Sequence, residues 1–185
     1  MRFCLSLFFS LILCGCSTIR KSAPSSASPV SAMLSVDVGS PQRFTATFKD
    51  PKGGSQIAEI TLSIMSNNVL PGGRSRWSAH ECLVRYDIAT KAIWLVPDMG
   101  GTWGSQPMTA GSSSTFSNSQ CTVMAAGSSA QTSGNTVTVN FELTFTAQFT
   151  GTKQLYMASE DVNGNWSANY QQQFASFTVA AARRP

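Results

Sequence analysis

Few side chains in this chain of 185 residues are suited to chemistry, because it carries one His, nine Asp and Glu, and five Cys. His80 and Glu81, with Asp98 further along, come nearest to an acid/base constellation, and a hydrolase or inhibitor with a scattered site around His80 is one reading of them. No Ser or Thr nucleophile motif and no partner carboxylate accompanies the group, so a His on a strand or at the surface is the stronger reading. Asp161-Val162-Asn163-Gly164-Asn165 places oxygen-bearing side chains at alternate positions, as a calcium loop begins. The later bidentate Glu and the flanking helices are missing, and an Asx/Gly turn is the better fit. Gly100-Gly101-Thr102-Trp103-Gly104-Ser105 has the glycines of a phosphate loop without its Lys or helix start. The expectation is a protein with no catalytic residue, no metal site and no cofactor.

Aromatic residues offer a better case for binding. Trp77, Trp103 and Trp166 fall in turn-like segments, where flat indoles can stack on the apolar faces of sugars or anchor a protein partner. They can equally fold back to cap the ends of a sandwich, and the two readings differ in one observable. A binding platform needs at least two of the three rings exposed side by side.

The N-terminus decides how the cysteines are counted. Arg2 is a short basic region, Leu5 to Leu13 is an apolar run too short to span a bilayer, and Leu13-Cys14-Gly15-Cys16 closes it. This resembles a bacterial lipoprotein signal peptide, with Cys14 at a position where a small or aliphatic residue is more usual. The resemblance implies cleavage after Gly15, acylation of Cys16 and attachment to a bacterial membrane. Ser17 after that Cys fits outer-membrane sorting in a host with two membranes. Cys4 and Cys14 then leave with the signal (residues 1–15), and Cys82 and Cys121 remain as one pair in an oxidising compartment. A disulfide between them would stabilise the fold by roughly 4 kcal/mol in the chain-entropy model. Metal binding is disfavoured, because His80 beside Cys82 has no third ligand.

Charge sorts in the same way. Residues 34–180 hold eight basic and nine acidic side chains, so the body is near −1 and the formal +4 of the whole chain comes from Arg2, Arg20, Lys21, Arg183 and Arg184. A near-neutral body without a basic stripe excludes ordinary nucleic-acid binding. Residues 16–33, rich in Ser, Ala and Pro, read as the lipidated Cys and a flexible tether, and residues 181–185 as a tail.

The elements that must position these residues repeat every second residue. Phe44, Ala46 and Phe48 alternate with polar neighbours up to the turn Asp50-Pro51-Lys52-Gly53-Gly54. Ile60, Leu62 and Ile64 share a face, and Glu81 to Tyr86 with Ala92 to Val96 form a hairpin. Cys121 to Met124 is a short strand, Thr136 to Phe149 a long one, and Leu155 to Ala158 follows Gly151-Thr152. In the last strand, Phe174 to Val179, pattern alone does not choose the inward face. No window has helical periodicity with caps. The expected fold is all-β: an antiparallel Ig-like β-sandwich of seven to nine strands over residues 34–180, with Trp94 filling core.

Turn residues carry a further likeness. Ala158-Ser159-Glu160-Asp161-Val162-Asn163-Gly164-Asn165-Trp166-Ser167 resembles the late turn of bacterial Ig-like or fibronectin-III-like modules. Together with the Asp50 turn, Asn118-Ser119-Gln120-Cys121, Gly134-Asn135-Thr136 and Gly151-Thr152-Lys153, the chain resembles an uncharacterised sandwich module common in secreted proteins of soil bacteria. The resemblance implies a fold and an extracellular setting. With the lipobox-like segment, the scarcity of ionisable residues and the loop tryptophans, the functional expectation is a non-catalytic cell-envelope lipoprotein, a binding or structural module with a glycan or envelope protein as partner.

Overall fold

A computed structural model describes residues 28–31, 35–66, 81–99, 103–104, 106–167 and 173–181 of the protein. These residues build two facing sheets from twelve strands: β1 (Ser28–Ser31), β2 (Ser35–Asp37), β3 (Gln42–Lys49), β4 (Ile57–Ser66), β5 (Cys82–Asp87), β6 (Ala92–Leu95), β7 (Met108–Thr109), β8 (Thr115–Ser117), β9 (Cys121–Ser133), β10 (Thr136–Phe145), β11 (Gly151–Asp161) and β12 (Gln173–Ala180). One sheet runs β1-β3-β10-β9-β8 and the other β2-β12-β11-β4-β5-β6-β7. Every pairing is antiparallel except β2 with β12.

The alternating patterns become two inner faces. Phe44, Ala46 and Phe48 of β3 and Val137, Val139, Phe141, Leu143 and Phe145 of β10 are buried against Ile60, Leu62 and Ile64 of β4, Val84 and Tyr86 of β5, and Leu155 and Met157 of β11. Phe44, Phe145 and Phe177 cluster with ring centroids 5.6 to 6.3 Å apart, and burying such rings is the main source of stability in a sandwich of this size. The ambiguous last strand turns Phe177 and Val179 inward. Lys153 is also buried, its ammonium donating to Ser66 Oγ and the Thr150 carbonyl and lying 4.3 Å from the Phe149 ring.

Cys82 and Cys121 form the expected disulfide, which joins the start of β5 to the start of β9 and so bolts one sheet to the other. Asn118 reinforces that end: its amide nitrogen donates to the carbonyls of Glu81 and Val96, and its oxygen accepts from the N–H groups of Gln120 and Cys121. At the other end the Asp50 and Gly134 turns meet, with Asp50 N–H on the Asn135 carbonyl and Gly54 N–H on that of Gly134. The chain also crosses between sheets at Val38 and Gly39, whose N–H groups reach Ala180 and Phe145 respectively, with Gly39 at φ 76°.

Several expectations change. Twelve strands replace seven to nine, because β1, β2, β7 and β8 are edge strands of two to four residues with no inward periodicity to detect. β1 lies within the stretch expected to be tether; it pairs with the open edge of β3, a backbone interaction indifferent to side-chain pattern, and an edge is where Pro29 is tolerated. The strand expected at Cys121 to Met124 extends to Ser133. Its pattern breaks because Ala125 to Ser128 bulge opposite Phe141, with Ser128 Oγ donating to the Met124 carbonyl and accepting from Glu142 N–H. Gly127 is required there, since a Cβ would occupy the space of the Glu142 side chain. β10 ends at Phe145, and a single 3-10 turn, Ala147–Phe149, follows. Trp94 is half-buried on the outer face, not in the core.

Candidate functional site

Strand alternation that sends Ile60 and Leu62 inward sends Glu59 and Thr61 outward, and the same parity places Arg85 and Asp87 of β5 and Glu160 of β11 on the outer face of the seven-stranded sheet. Register then aligns them. Glu160 lies opposite Glu59 and Glu59 opposite Asp87, making a row of three carboxylates across β11, β4 and β5. Arg85 lies opposite Trp94 in the β5–β6 hairpin.

Arg85 organises this face. Its Nη1 is 3.3 Å from Glu59 Oε2, with 20% of the Arg85 side chain and 14% of the Glu59 side chain exposed. Its guanidinium carbon sits 3.9 Å from the Trp94 ring centroid and 4.8 Å from that of Trp103, so two indoles contact one cation. The Trp103 segment is close to the sheet, because a Cβ on Gly104 would stand 3.3 Å from the Leu95 carbonyl. Arg85 Nε is buried with no hydrogen-bond acceptor among the described residues.

Among the described residues of this face, one arginine stands against three carboxylates. Burial pushes the Glu59 carboxyl up to about 7, opposed by Arg85 and assisted by Glu160 and Asp87. Glu160 is raised as well, by burial and by Asp161, with Arg85 pulling the other way. Asp161 is held low: burial works against its charge, but hydrogen bonds from Asn165 and Asn163 prevail. These bonds form the Asx/Gly turn, with Asp161 Oδ1 accepting from the N–H groups of Asn163 and Asn165 and from Asn165 Nδ2.

The residues singled out in the sequence are distributed unevenly over this arrangement. Trp103 is part of it. Trp166 bridges Glu160 in antiparallel register, which puts it on the same face at the far side of the carboxylate row. At about 4.8 Å per strand, its backbone stands roughly 14 Å across the sheet from β5. Both rings are half-buried, and they bracket the charged row in place of forming one continuous platform. Glu81 is buried and accepts from Ser63 Oγ, while Asp98 accepts from the N–H and Oγ of Ser119, so each carboxylate engages the scaffold. Cys16, Trp77 and His80 lie outside the described residues. No group of three or more potential metal ligands occurs among the described residues. Glu59, Arg85, Trp94 and Glu160 were not anticipated, although the hairpin register alone places Arg85 beside Trp94.

No family model matches this chain, and no curated protein does either. Solved structures offer distant likenesses. One is described as "AvmM Catalyzes Macrocyclization in Alchivemycin A Biosynthesis"; it is 13% identical, with 86% of this chain and 90% of that chain covered and a TM-score of 0.35. Another is a DUF4466 family protein from Parabacteroides merdae, 10% identical, with 86% of this chain and 45% of that chain covered and a TM-score of 0.29. The chain spans less than half the length of this second protein. Likeness at this level carries nothing across to this chain.

Proposed function

We propose that the protein is a non-catalytic, Ig-like binding or structural module of a bacterial cell envelope, anchored to the membrane by acyl chains on Cys16. The disulfide fits an oxidising compartment outside the cytoplasm, and no described helix is long and apolar enough to cross a membrane. The lipobox-like segment ending at Cys16 supports the anchor. The outer face of the seven-stranded sheet is the binding surface, with a glycan or an envelope protein as ligand. The tryptophan platform is not formed, and what supports this reading is the concentration of Glu160, Glu59, Asp87 and Arg85 on this one face, with half-buried Trp103 and Trp166 at its sides. Indoles supply stacking surface and carboxylates accept hydrogen bonds from hydroxyl groups.

The test has two arms. In cells fed a labelled fatty acid, wild-type protein takes up label and sediments with membranes, whereas Cys16→Ser does neither; an unlabelled wild type refutes the anchor. On a glycan array and in pulldown from the native envelope, wild-type protein captures a ligand that Trp103→Ala and Trp166→Ala lose. Equal capture by both variants refutes the surface.

A second reading follows from Glu59 itself. A carboxyl held near 7 opposite another carboxylate suits a general acid, which would make the face a hydrolytic site. Turnover of chromogenic glycosides or esters by wild-type protein, lost in Glu59→Gln, would replace the binding reading with this one.

A further inference from the structure

Four turns meet at one end of the sandwich. Gly54 N–H donates to the Gly134 carbonyl, Ile88 N–H to that of Ala58 and Val162 N–H to that of Gln56, so the turns after β3, β5, β9 and β11 share the end at which β4 begins. The disulfide marks the other end, because Cys82 pairs with Ile64 near the finish of β4. Along the ten residues of β4 the two ends stand about 30 Å apart.

Their charges are displayed differently. At the turn end Lys49, Lys52 and Lys91 are exposed, whereas the acids near it are all buried or half-buried. Asp50 accepts from Lys52 N–H, Asp87 from the N–H and Oγ1 of Thr90, and Asp161 from the N–H groups of Asn163 and Asn165. Glu59 and Glu160 lie back on the sheet face with Arg85. The cations therefore meet solvent while the anions are committed inward. Of the described side chains at the disulfide end, Arg43 and Asp98 are exposed and offset each other in sign. The chain also enters at the lysine end: β1 runs antiparallel to β3 with Ser28 opposite Lys49. Residues 17–27, which include Arg20 and Lys21, separate Ser28 from Cys16, a distance of about 40 Å at full stretch.

We propose that the turn end bearing Lys49, Lys52 and Lys91 rests on anionic phospholipid headgroups of the membrane that holds the protein, with the strands along the membrane normal and the disulfide end outermost. Reach and charge together select this partner. A tether that enters beside Lys49 brings this end to the membrane first, and exposed lysines gain at a negatively charged surface once they are within a Debye length of it. In this pose the outer face of the seven-stranded sheet looks sideways along the membrane, open to a ligand. The pose rests on the reading of Cys16 as an acyl anchor; the attraction of the lysine end for anionic lipid does not.

Exposed positions at the two ends report the pose. Ser55→Cys and Met99→Cys proteins, each with a fluorescent label on the added thiol, are reconstituted by their acyl anchor into vesicles. The vesicles hold three parts phosphatidylethanolamine to one part phosphatidylglycerol, with a trace of lipid carrying a nitroxide headgroup as quencher. The label at position 55 is expected to be quenched several-fold more than the label at position 99. That difference should collapse at 1 M salt and in Lys49→Gln/Lys52→Gln/Lys91→Gln. The salt arm serves alone if the triple variant fails to fold, as judged by circular dichroism. Equal quenching, stronger quenching at position 99, or a difference that survives either treatment overturns the pose. If wild-type protein takes up no fatty-acid label, the anchor fails and the lysine end is tested by itself. Wild-type protein and the triple variant are then sedimented with phosphatidylglycerol vesicles and with phosphatidylcholine vesicles. Capture by the anionic vesicles alone, weakened by about fivefold for each lysine removed, keeps the lysine end as a lipid-facing surface. Equal capture by the two lipids, or of the two proteins, refutes it.

Discussion

The outer faces of the two sheets are made from the same pleat and differ in chemistry. On the five-stranded sheet, Thr45 donates to Asn140, Thr47 pairs with Thr138, and Ser117 pairs with Thr122, so neighbouring hydroxyl and amide groups satisfy one another. On the seven-stranded sheet, Glu59, Asp87 and Glu160 crowd one arginine beneath two indoles. Neutral pairs across strands stabilise by a fraction of a kcal/mol and ask nothing of pH. Buried like charges cost energy, so ionising this face costs stability where the neutral pairs of the other add a little. In a chain with 12% charged residues, this concentration on one face is what distinguishes it.

The largest test of the contrast removes the bolt between the sheets. Replacing both Cys82 and Cys121 by Ala should cost about 4 kcal/mol, since the bridge closes a separation of 39 residues. Urea denaturation of oxidised wild type against the double variant measures it. A loss below about 1 kcal/mol would mean that the core alone holds the two faces together.

Next in size is the pH dependence of the charged face. Burial pushes the Glu59 carboxyl from its ordinary 4.5 up to about 7, so between these values the folded state holds a proton that the unfolded state has released. Its contribution to stability therefore falls as pH rises across that window, by up to about 3 kcal/mol, and is constant above it. Denaturation at a series of pH values should show this decline in wild type and a shallower one in Glu59→Gln. Thr47→Ala, on the other sheet, should leave the wild-type slope intact.

Much of the fold is legible in the residue pattern, while the contrast between the outer faces is not, and the silent parts share a cause. Inward residues announce themselves by alternation, as Phe44, Ala46 and Phe48 or Ile60, Leu62 and Ile64 do, because burial rewards apolar side chains at every second place. The disulfide followed from export and elimination. An outer-face site has no such periodic reward: Glu59, Arg85 and Glu160 come from three strands and meet only through register, which the β9 bulge and the shift between Glu160 and Asp161 show to be irregular. Edge strands such as β1 are silent for a related reason, since they are held by backbone groups. An aromatic within an apolar hairpin reads as core, but Arg85 offers the Trp94 ring a partner outside.

Removing that partner gives the next effect. Arg85→Met keeps the stem packed between the indoles but leaves Glu59 without its cation, which should cost about 2 kcal/mol at pH 8, a moderate figure because both side chains retain some exposure. Below pH 6 most of that loss should disappear, as a protonated Glu59 needs no counter-charge. An equal loss at both pH values would locate the role of Arg85 in stacking on Trp94 and Trp103, and chemical denaturation at the two pH values separates the cases.

The smallest effect is the control for all of these. Thr47→Val on β3 deletes one hydroxyl from a half-buried pair with Thr138 at 3.1 Å on the outer face and keeps the β-branched shape. The remaining Thr138 hydroxyl can turn to solvent, so the cost should stay below about 0.5 kcal/mol at any pH. Salt should not change it either, whereas the Arg85 effect at pH 8 should shrink as salt screens the carboxylate row. If Thr47→Val proved as costly and as pH-dependent as Arg85→Met, the two faces would be coupled through the core, and the difference between them would be one of composition without consequence for energy.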